Sequence, residues 1–535
     1  MKNYKFTFIA SAFAALSLVG CNDLDTEPLG STITADQKAA TIEAIPERIE
    51  ASVAAIPASF YDFGKILGES YHSDFGYPAM MMWGDSRGTD MVSDAIGYNW
   101  FSSSLQFTDI QPTGIGTNLF WRGLYKQIYA ANNIAGMISV DTEDNDLMFY
   151  LAQALAVRAF DYFTLAQFYQ HTYVGNEDKP CVPVLTDENA DAAGSTGCAR
   201  YTVADTYAQI MSDISTAIEL LSKTKTVRPD KRYVSLEVAY GIRARINLVM
   251  NKWAEAASDA ENALKGAATP YTAEQVSKPG FSDIDDASWM WGCLVAETDR
   301  CVTSGICNFP SPMGSLNYGY ASVGAWRRIS KSLYNAIPET DVRKGWWLDE
   351  KQESVNLSAE QVAYVVETNI PAYTQMKFGC YNDVIYQSVN ANDIPLMRVE
   401  EMYLILAEAQ AMAGDATAGA ATLENFVKTY RDPAYMCEGL TSTGVQNAVW
   451  QQRRIELWGE GFSYTDIMRL KKNIDRRGAG FAPELVFNVS AVEGEDGYDA
   501  RIFPIPQSEV EGNILISNED NNPISSTITP VEDYK

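Results

Sequence analysis

The sequence contains little histidine and little positive charge. His72 and His171 are its only histidines among 535 residues, and 41 Lys and Arg stand against 69 Asp and Glu, which gives a formal net charge of −28. A zinc site built from several histidines is therefore not expected. Nucleic acid is not an expected partner either, because phosphate binding needs a clustered positive field. The 29 Tyr and 11 Trp instead favour a neutral, hydroxyl-rich ligand.

Long apolar runs are also missing, and the nearest approach to one stands at the start of the chain. Residues 6–19 form an apolar run of about 14 residues, which is too short to span a bilayer. Leu18-Val19-Gly20-Cys21 ends this run and resembles a bacterial lipobox, in which the cysteine is lipidated. We therefore predict that residues 1–20 are a lipoprotein signal peptide and that Cys21 carries the lipid anchor. An ordinary secretory signal with a chance cysteine is the alternative.

The stretch after the lipobox is polar, and residues 21–45 are predicted to form an extended tether between the lipid and one large domain, residues 46–535. The acidic residues Asp23, Asp25 and Glu27 resemble a signal for export to the outer face of the outer membrane. The predicted location is therefore the outer membrane, facing the cell exterior.

Seven cysteines remain after Cys21, and an odd number cannot all pair within one chain. Cys181 and Cys198 flank a polar loop that a disulfide could close. The alternative is that most of the seven are buried thiols. They are Cys181, Cys198, Cys293, Cys301, Cys307, Cys380 and Cys437.

Helical periodicity dominates the body, so the predicted fold class is mostly α with a few small hairpins. Two helix pairs, 235–250 with 253–264 and 396–411 with 418–430, have small alanines facing aromatic rings and resemble tetratricopeptide units. They are scattered along the chain, which argues against a regular solenoid. Further helices are predicted at 118–138, 146–170 and 203–221, and short strands at 346–347, 364–366 and 502–503. Residues 266–330 lack periodicity and are predicted to form an irregular ligand-loop region.

One short motif suggests catalysis. Gly84-Asp85-Ser86-Arg87-Gly88 matches the nucleophile elbow G-x-S-x-G, with His171 as the one histidine that follows it. No convincing strand precedes the motif, so a tight glycine turn that presents Asp85, Ser86 and Arg87 to solvent is favoured over a hydrolase site. No catalytic residue is predicted.

Clustered aromatic residues carry the predicted binding site. Trp and Tyr rings offer flat apolar faces that suit the C–H face of a sugar, while neighbouring polar side chains bind its hydroxyls. Two clusters of this kind occur, one around residues 83–100 and one between 289 and 347, where Trp346 and Trp347 lie beside further rings. The predicted ligand-binding residues are Trp83, Asp85, Arg87, Trp100, Trp289, Trp291, Tyr318, Tyr320 and Trp326.

Ordered motifs along nearly the whole chain resemble the SusD/RagB-type nutrient-binding lipoproteins. Departures are Gln452 in place of a usual Glu, Phe462-Ser463 in place of His-Arg, and a longer C-terminal tail. The matching segments are the lipobox, Trp121-Arg122-Gly123-Leu124-Tyr125, Ala154-Leu155-Ala156-Val157-Arg158-Ala159-Phe160, residues 234–264, Arg398-Val399-Glu400-Glu401-Met402-Tyr403-Leu404, Arg453-Arg454-Ile455-Glu456-Leu457 and Phe503-Pro504-Ile505-Pro506.

This resemblance implies a single α-rich domain that binds an oligosaccharide, and not an enzyme. It implies delivery of the ligand to a SusC-like TonB-dependent outer-membrane β-barrel, with no cofactor, and leaves a structural calcium ion open. A peptide-binding RagB-like member and a helical-repeat assembly scaffold remain as alternatives. The family's ligand site lies in variable loops, so no ligand residue is carried over from the resemblance.

Overall fold

The computed structural model describes residues 47–437, 439–524 and 528–534. The predicted signal peptide, Cys21 and the tether lie outside these residues. From Ile49 onward the chain forms one compact unit. Within the described ranges, no helix combines the length and the apolar character needed to cross a bilayer.

The described chain is mostly helical, as predicted. Its α-helices are α1 Glu47–Ser59, α2 Tyr77–Arg87, α3 Ser102–Leu105, α4 Ile115–Ala135, α5 Asn145–Tyr169, α6 Ala190–Thr196, α7 Val203–Lys223, α8 Leu236–Val249, α9 Trp253–Ala263, α10 Ala273–Val276, α11 Arg300–Thr303, α12 Pro310–Met313, α13 Lys331–Asn335, α14 Ala359–Thr368, α15 Val399–Met412, α16 Ala416–Tyr430, α17 Ser442–Glu456, α18 Ser463–Arg469 and α19 Gln507–Gly512.

The two predicted helix pairs are confirmed, and they are neighbours in space. Helix α8 packs against α9, α15 packs against α16 and α17, and α9 packs against α15. Small residues allow the close approach, since a Cβ added at Gly419 would lie 2.5 Å from the carbonyl oxygen of Ala407. Helices α4, α5 and α7 continue the stack beyond α8. Units that are distant in sequence therefore form one continuous helical frame.

The strands are short and pair two by two, all antiparallel: β1 Met91–Val92 with β5 Arg328–Ile329, β2 Pro180–Pro183 with β3 Arg200–Thr202, β4 Trp289–Cys293 with β6 Ile394–Arg398, and β7 Ile474–Asp475 with β8 Asn488–Val489.

The three strands predicted from sequence are wrong. Residues 364–366 belong to helix α14, whose start is fixed by a capping box between Ser358 and Gln361. Trp346 ends a 3-10 helix and Trp347 makes only an isolated bridge to Gln375, while residues 502–503 are irregular. Helix α14 buries a single residue, Val365. A run of β-branched residues on an exposed helix therefore gave a false strand signal.

Buried ion pairs join the C-terminal helices to the segments around them. The Glu456 carboxylate, at the end of α17, contacts the guanidinium groups of Arg343, Arg398 and Arg431 at 2.8–3.2 Å. Glu460 accepts two further hydrogen bonds from Arg398, at 2.8 and 2.9 Å. Burial opposes the ionisation of Glu456, but Arg431, Arg398 and Arg343 outweigh it and hold its pKa well below the usual range. These charges fix the packing of the frame.

The Glu456 network predicts a large loss of stability when its centre is neutralised. Glu456→Gln should lower the free energy of unfolding by about 3–5 kcal/mol, because each of three buried guanidinium groups loses one of its carboxylate partners. Urea unfolding at neutral pH measures the change. The control is Glu219→Gln, which removes an exposed pair with Lys223 and should change the free energy of unfolding far less. Equal effects of the two substitutions on the free energy of unfolding would contradict the role of Glu456 in fixing the packing of the frame.

Candidate functional site

A two-stranded ribbon brings together two loops that are far apart in sequence. In the β1–β5 pair, Met91 lies opposite Ile329 and Val92 lies opposite Arg328. The loop at 93–101 leaves the end of β1, and the loop at 316–327 leads into β5. Because the strands are antiparallel, both loops lie at the same end of the ribbon.

Arg327 fastens the two loops to each other. Its buried guanidinium donates to the Ser93 hydroxyl and, at 2.9 Å, to the Asn99 side-chain oxygen. Asn99 in turn donates to the carbonyl oxygen of Asp94 and accepts from the backbone N–H of Phe101. Burial lowers the pKa of Arg327 to about 9. A buried cation bonded to neutral groups tolerates little displacement of its acceptors, so this contact holds the first loop in place.

Four rings from these loops and from one nearby segment form a cluster that we call the aromatic platform: His72, Tyr98, Trp100 and Tyr320. The imidazole of His72 stacks on Trp100 with centroids 4.6 Å apart and planes 23° apart. Tyr98 stacks on Tyr320 at 6.1 Å and 21°, and Trp100 lies 6.3 Å from Tyr320. His72 also shares a hydrogen bond with the Tyr320 hydroxyl. The platform is thus a connected set of rings.

The platform is open to solvent on its outer side. Tyr98 is 60% exposed, Trp100 and His72 are half-buried, and Tyr320 is buried beneath them. Burial raises the pKa of the Tyr320 hydroxyl. Tyr318 lies two residues before Tyr320 in the same loop.

The edge of the platform has further apolar surface. Tyr318 packs edge-on against Tyr386 with centroids 5.4 Å apart, and both rings are partly exposed. Ile96 and Val323 are also exposed. The two loops touch here, because a Cβ added at Gly324 would lie only 2.8 Å from Ile96 Cδ1. Gly324 also has a φ of 109°, which favours glycine. The surface suits a ligand with a flat apolar face.

Trp83, Asp85 and Arg87 are not part of this surface, and the predicted glycine turn is wrong. These residues lie in α2, a helix buried along nearly its whole length. Trp83 and Arg87 both donate to the Asp109 carboxylate. Asp85 accepts from the backbone N–H groups of two residues of a neighbouring segment, Gly461 and Ser463, and burial raises its pKa to about 7. All three serve the packing of the frame.

Trp289 and Trp291 are also buried, contrary to the prediction that they face a ligand. Both lie in β4, which pairs with β6 inside the body, and the Trp289 ring nitrogen donates to the Tyr271 hydroxyl at 2.9 Å. Trp326 is half-buried against the core cluster that contains Leu316 and Leu348. The buried strand β4 runs through residues 266–330, so the region predicted to be irregular contains regular structure.

The structure therefore brings together Trp100, Tyr318 and Tyr320 from the predicted set, one from the first sequence cluster and two from the second. His72 and Tyr386 were missed. A single histidine and a tyrosine in a polar stretch give no sequence signal of their own, and only their neighbours in space reveal them.

The hydrolase alternative gains no support from the geometry. Ser86 is buried in α2, and the His171 ring stacks on Tyr498 with centroids 4.0 Å apart.

In the described ranges, Cys181 and Cys198 are free thiols like the other five cysteines, and no group of three or more His, Cys, Asp or Glu side chains is arranged to hold a metal ion.

Two family models match the chain. One, described as SusD-like and as starch-binding associating with outer membrane, matches residues 58–248, and the other, described as the SusD family, matches residues 351–523. The segment with Tyr318 and Tyr320 lies between these ranges. SusD-like protein P2 of Formosa agariphila is 24% identical over 572 aligned residues, which cover 98% of this chain and 100% of that protein.

Solved structures share the fold. A SusD-like carbohydrate binding protein from Bacteroides vulgatus has a TM-score of 0.71 at 23% identity, covering 89% of this chain and 97% of that one. A SusD superfamily protein from Bacteroides thetaiotaomicron has a TM-score of 0.69 at 20% identity, covering 89% and 99%. A laminarin binding SusD-like protein has a TM-score of 0.62 at 18% identity, with the same coverages of 89% and 99%.

Arg327 gives a prediction about loop order. Arg327→Met should lower the free energy of unfolding by about 1–3 kcal/mol, because it leaves the buried polar groups of Ser93 and Asn99 without their hydrogen-bond donor. It should also speed amide hydrogen exchange across residues 93–101. The adjacent Arg328→Met removes only a partly exposed pair with Asp94 and serves as the control, with an expected cost below about 1 kcal/mol. Unchanged exchange in Arg327→Met would rule out the fastening role.

The two histidines give a prediction about titration. Burial lowers the pKa of His72 below its ordinary value of 6.5, and burial with the nearby Arg501 and Lys179 charges lowers the pKa of His171 to about 4. Both rings should therefore be neutral at pH 7. Histidine-selective NMR titration, with His171→Gln to assign the signals, measures both values. A pKa at or above 6.5 for either ring would contradict the described surroundings.

Proposed function

This chain belongs to the SusD/RagB family, and we propose that it is a lipid-anchored outer-membrane protein that binds a neutral oligosaccharide on the aromatic platform and delivers it to a SusC-like TonB-dependent β-barrel. The observation that carries the proposal is the platform itself, a connected and partly exposed set of rings at the meeting point of two loops. The acidic charge of the chain adds support, because it disfavours an anionic ligand.

The platform would bind sugar through stacking. The C–H face of a pyranose covers the face of an aromatic ring, and its hydroxyls remain free to bond with polar side chains at the rim, such as the half-exposed Asp94. Each ring contributes about 1 kcal/mol beyond the area it buries. Binding that is spread over several weak contacts is reversible, which a protein that hands its ligand on requires.

The rest of the molecule would hold this surface in position beside the transporter. Lipidation of Cys21 would keep the protein at the membrane surface, where its effective concentration near a barrel partner is high. The proposed role is binding and not catalysis. Starch association in the matched family model and laminarin binding by the structural relative make neutral glucans the first ligands to test.

The stacking proposal predicts which rings matter. Tyr98→Ala and Trp100→Ala should each weaken oligosaccharide binding about 5- to 10-fold, because each removes a ring worth about 1 kcal/mol. Isothermal titration calorimetry with a panel of neutral oligosaccharides, including starch and laminarin fragments, measures the affinity. Tyr129→Ala is the matched control, since Tyr129 is 66% exposed on α4 and Tyr98 is 60% exposed on its loop.

The control should bind like the wild type. If a ligand found in the panel binds Tyr98→Ala and Trp100→Ala with unchanged affinity, the platform is not the site. If only peptides bind, the oligosaccharide proposal is wrong.

A further inference from the structure

A second cleft, separate from the platform, lies where the C-terminal segment meets the end of α5 and strand β2. Its volume is about 550 Å³, within the range of small-ligand sites. His171, Tyr498, Lys179 and Arg200 line it together with residues of the 515–523 segment. The Tyr498 ring is half-buried and stacks almost parallel to the imidazole of His171, with an interplanar angle of 14°.

The aromatic pair offers hydrogen-bonding groups that no described residue uses. His171 is 9% exposed, yet neither ring nitrogen has a hydrogen-bond partner in the described ranges, and the same holds for the Tyr498 hydroxyl. A buried imidazole that faces a cleft without a partner loses hydrogen bonds that water or a ligand must replace. Burial and two nearby cations keep His171 neutral at pH 7, so its ring offers one donor and one acceptor.

The charges around the cleft indicate the class of ligand. Arg200 spends its donors on the carbonyl oxygens of Cys181, Pro180 and Asp520 and on Asn522. Lys179 pairs with Glu493 at 2.6 Å. Arg200 keeps its positive charge because its own partners are neutral, while the carboxylates of Asp499 and Glu519 have no ion-pair partner among the described residues. Four carboxylates, Glu493, Asp499, Glu519 and Asp520, stand against two cations in the lining, which disfavours an anionic ligand, whereas ligand hydroxyl groups can donate to carboxylates.

We propose that the His171–Tyr498 cleft is a second saccharide-binding site, which takes a short neutral segment against the aromatic pair. The choice of saccharide rests on the proposed function, whereas the cleft and its unpartnered groups do not. Two sites on one chain would bind a polymer more tightly than either site alone, through the raised effective concentration of the second segment.

The two histidines make the two sites separately observable, since His72 belongs to the platform and His171 to the cleft. The experiment records histidine-selective NMR spectra of the full chain with maltotriose and with laminaritriose at millimolar concentration. In the wild type, both histidine signals should shift. In Trp100→Ala the His72 response should need about 5- to 10-fold more trisaccharide while the His171 response is unchanged, and in Tyr498→Ala the His171 response should be the one that weakens. Tyr498→Phe keeps the ring and should retain a weakened response.

The outcomes separate this proposal from the preceding one. A His171 signal that stays unchanged while His72 responds overturns the second site and leaves the platform. A response at His171 alone overturns the platform and supports the cleft. Silence of both signals at saturating trisaccharide overturns both. Thermal unfolding of Tyr498→Ala and Tyr498→Phe shows whether each variant is folded, and Tyr498→Phe remains informative if the alanine variant is not.

Discussion

The hydrogen bonds of Arg327 are the constraint on which the candidate site depends. One buried guanidinium, bonded to Ser93 and Asn99, ties the loop after β1 to the segment before β5. The burial of a charge among neutral partners is costly unless its hydrogen bonds are made. The loop can therefore adopt only a few positions that keep its hydrogen bonds to Arg327. Trp100 directly follows Asn99, and Tyr320 lies in the segment that Arg327 ends. The positions of Trp100 and Tyr320 therefore depend on this contact as well as on the stacking between the rings.

The helical frame and the loops have different roles, since the frame provides stability and the loops carry the candidate site. The stack from α4 to α17 is closed by small residues and by the Glu456 network, whose charged groups are buried and paired. The platform rings that reach solvent stand on loops, where the backbone is free to present them, while the frame limits how far the loops move. Most tryptophans near the site pack the body, and Trp100 is a half-exposed exception.

The sequence predicted the helices well because their 3.6-residue period is strong over many turns, as in α4 and α7. It failed for α14, where valines on an exposed helix imitate a strand, and for β4, where both faces of the strand are buried and composition alone cannot distinguish a packed ring from an exposed one. The site was predicted in part. Trp100, Tyr318 and Tyr320 were named, but their meeting depends on the β1–β5 pairing and on Arg327, which are long-range contacts. His72 could be found only after those contacts were known.

The central claim is that sugar stacks on rings held at the junction of two loops. A crystal structure of the chain with a bound neutral oligosaccharide tests it most directly. The account predicts a sugar ring lying parallel to Tyr98 or Trp100 at van der Waals distance, with Arg327 still bonded to Asn99 beneath it. A complex in which the oligosaccharide is well ordered elsewhere and the rings of the platform stay uncovered would contradict it.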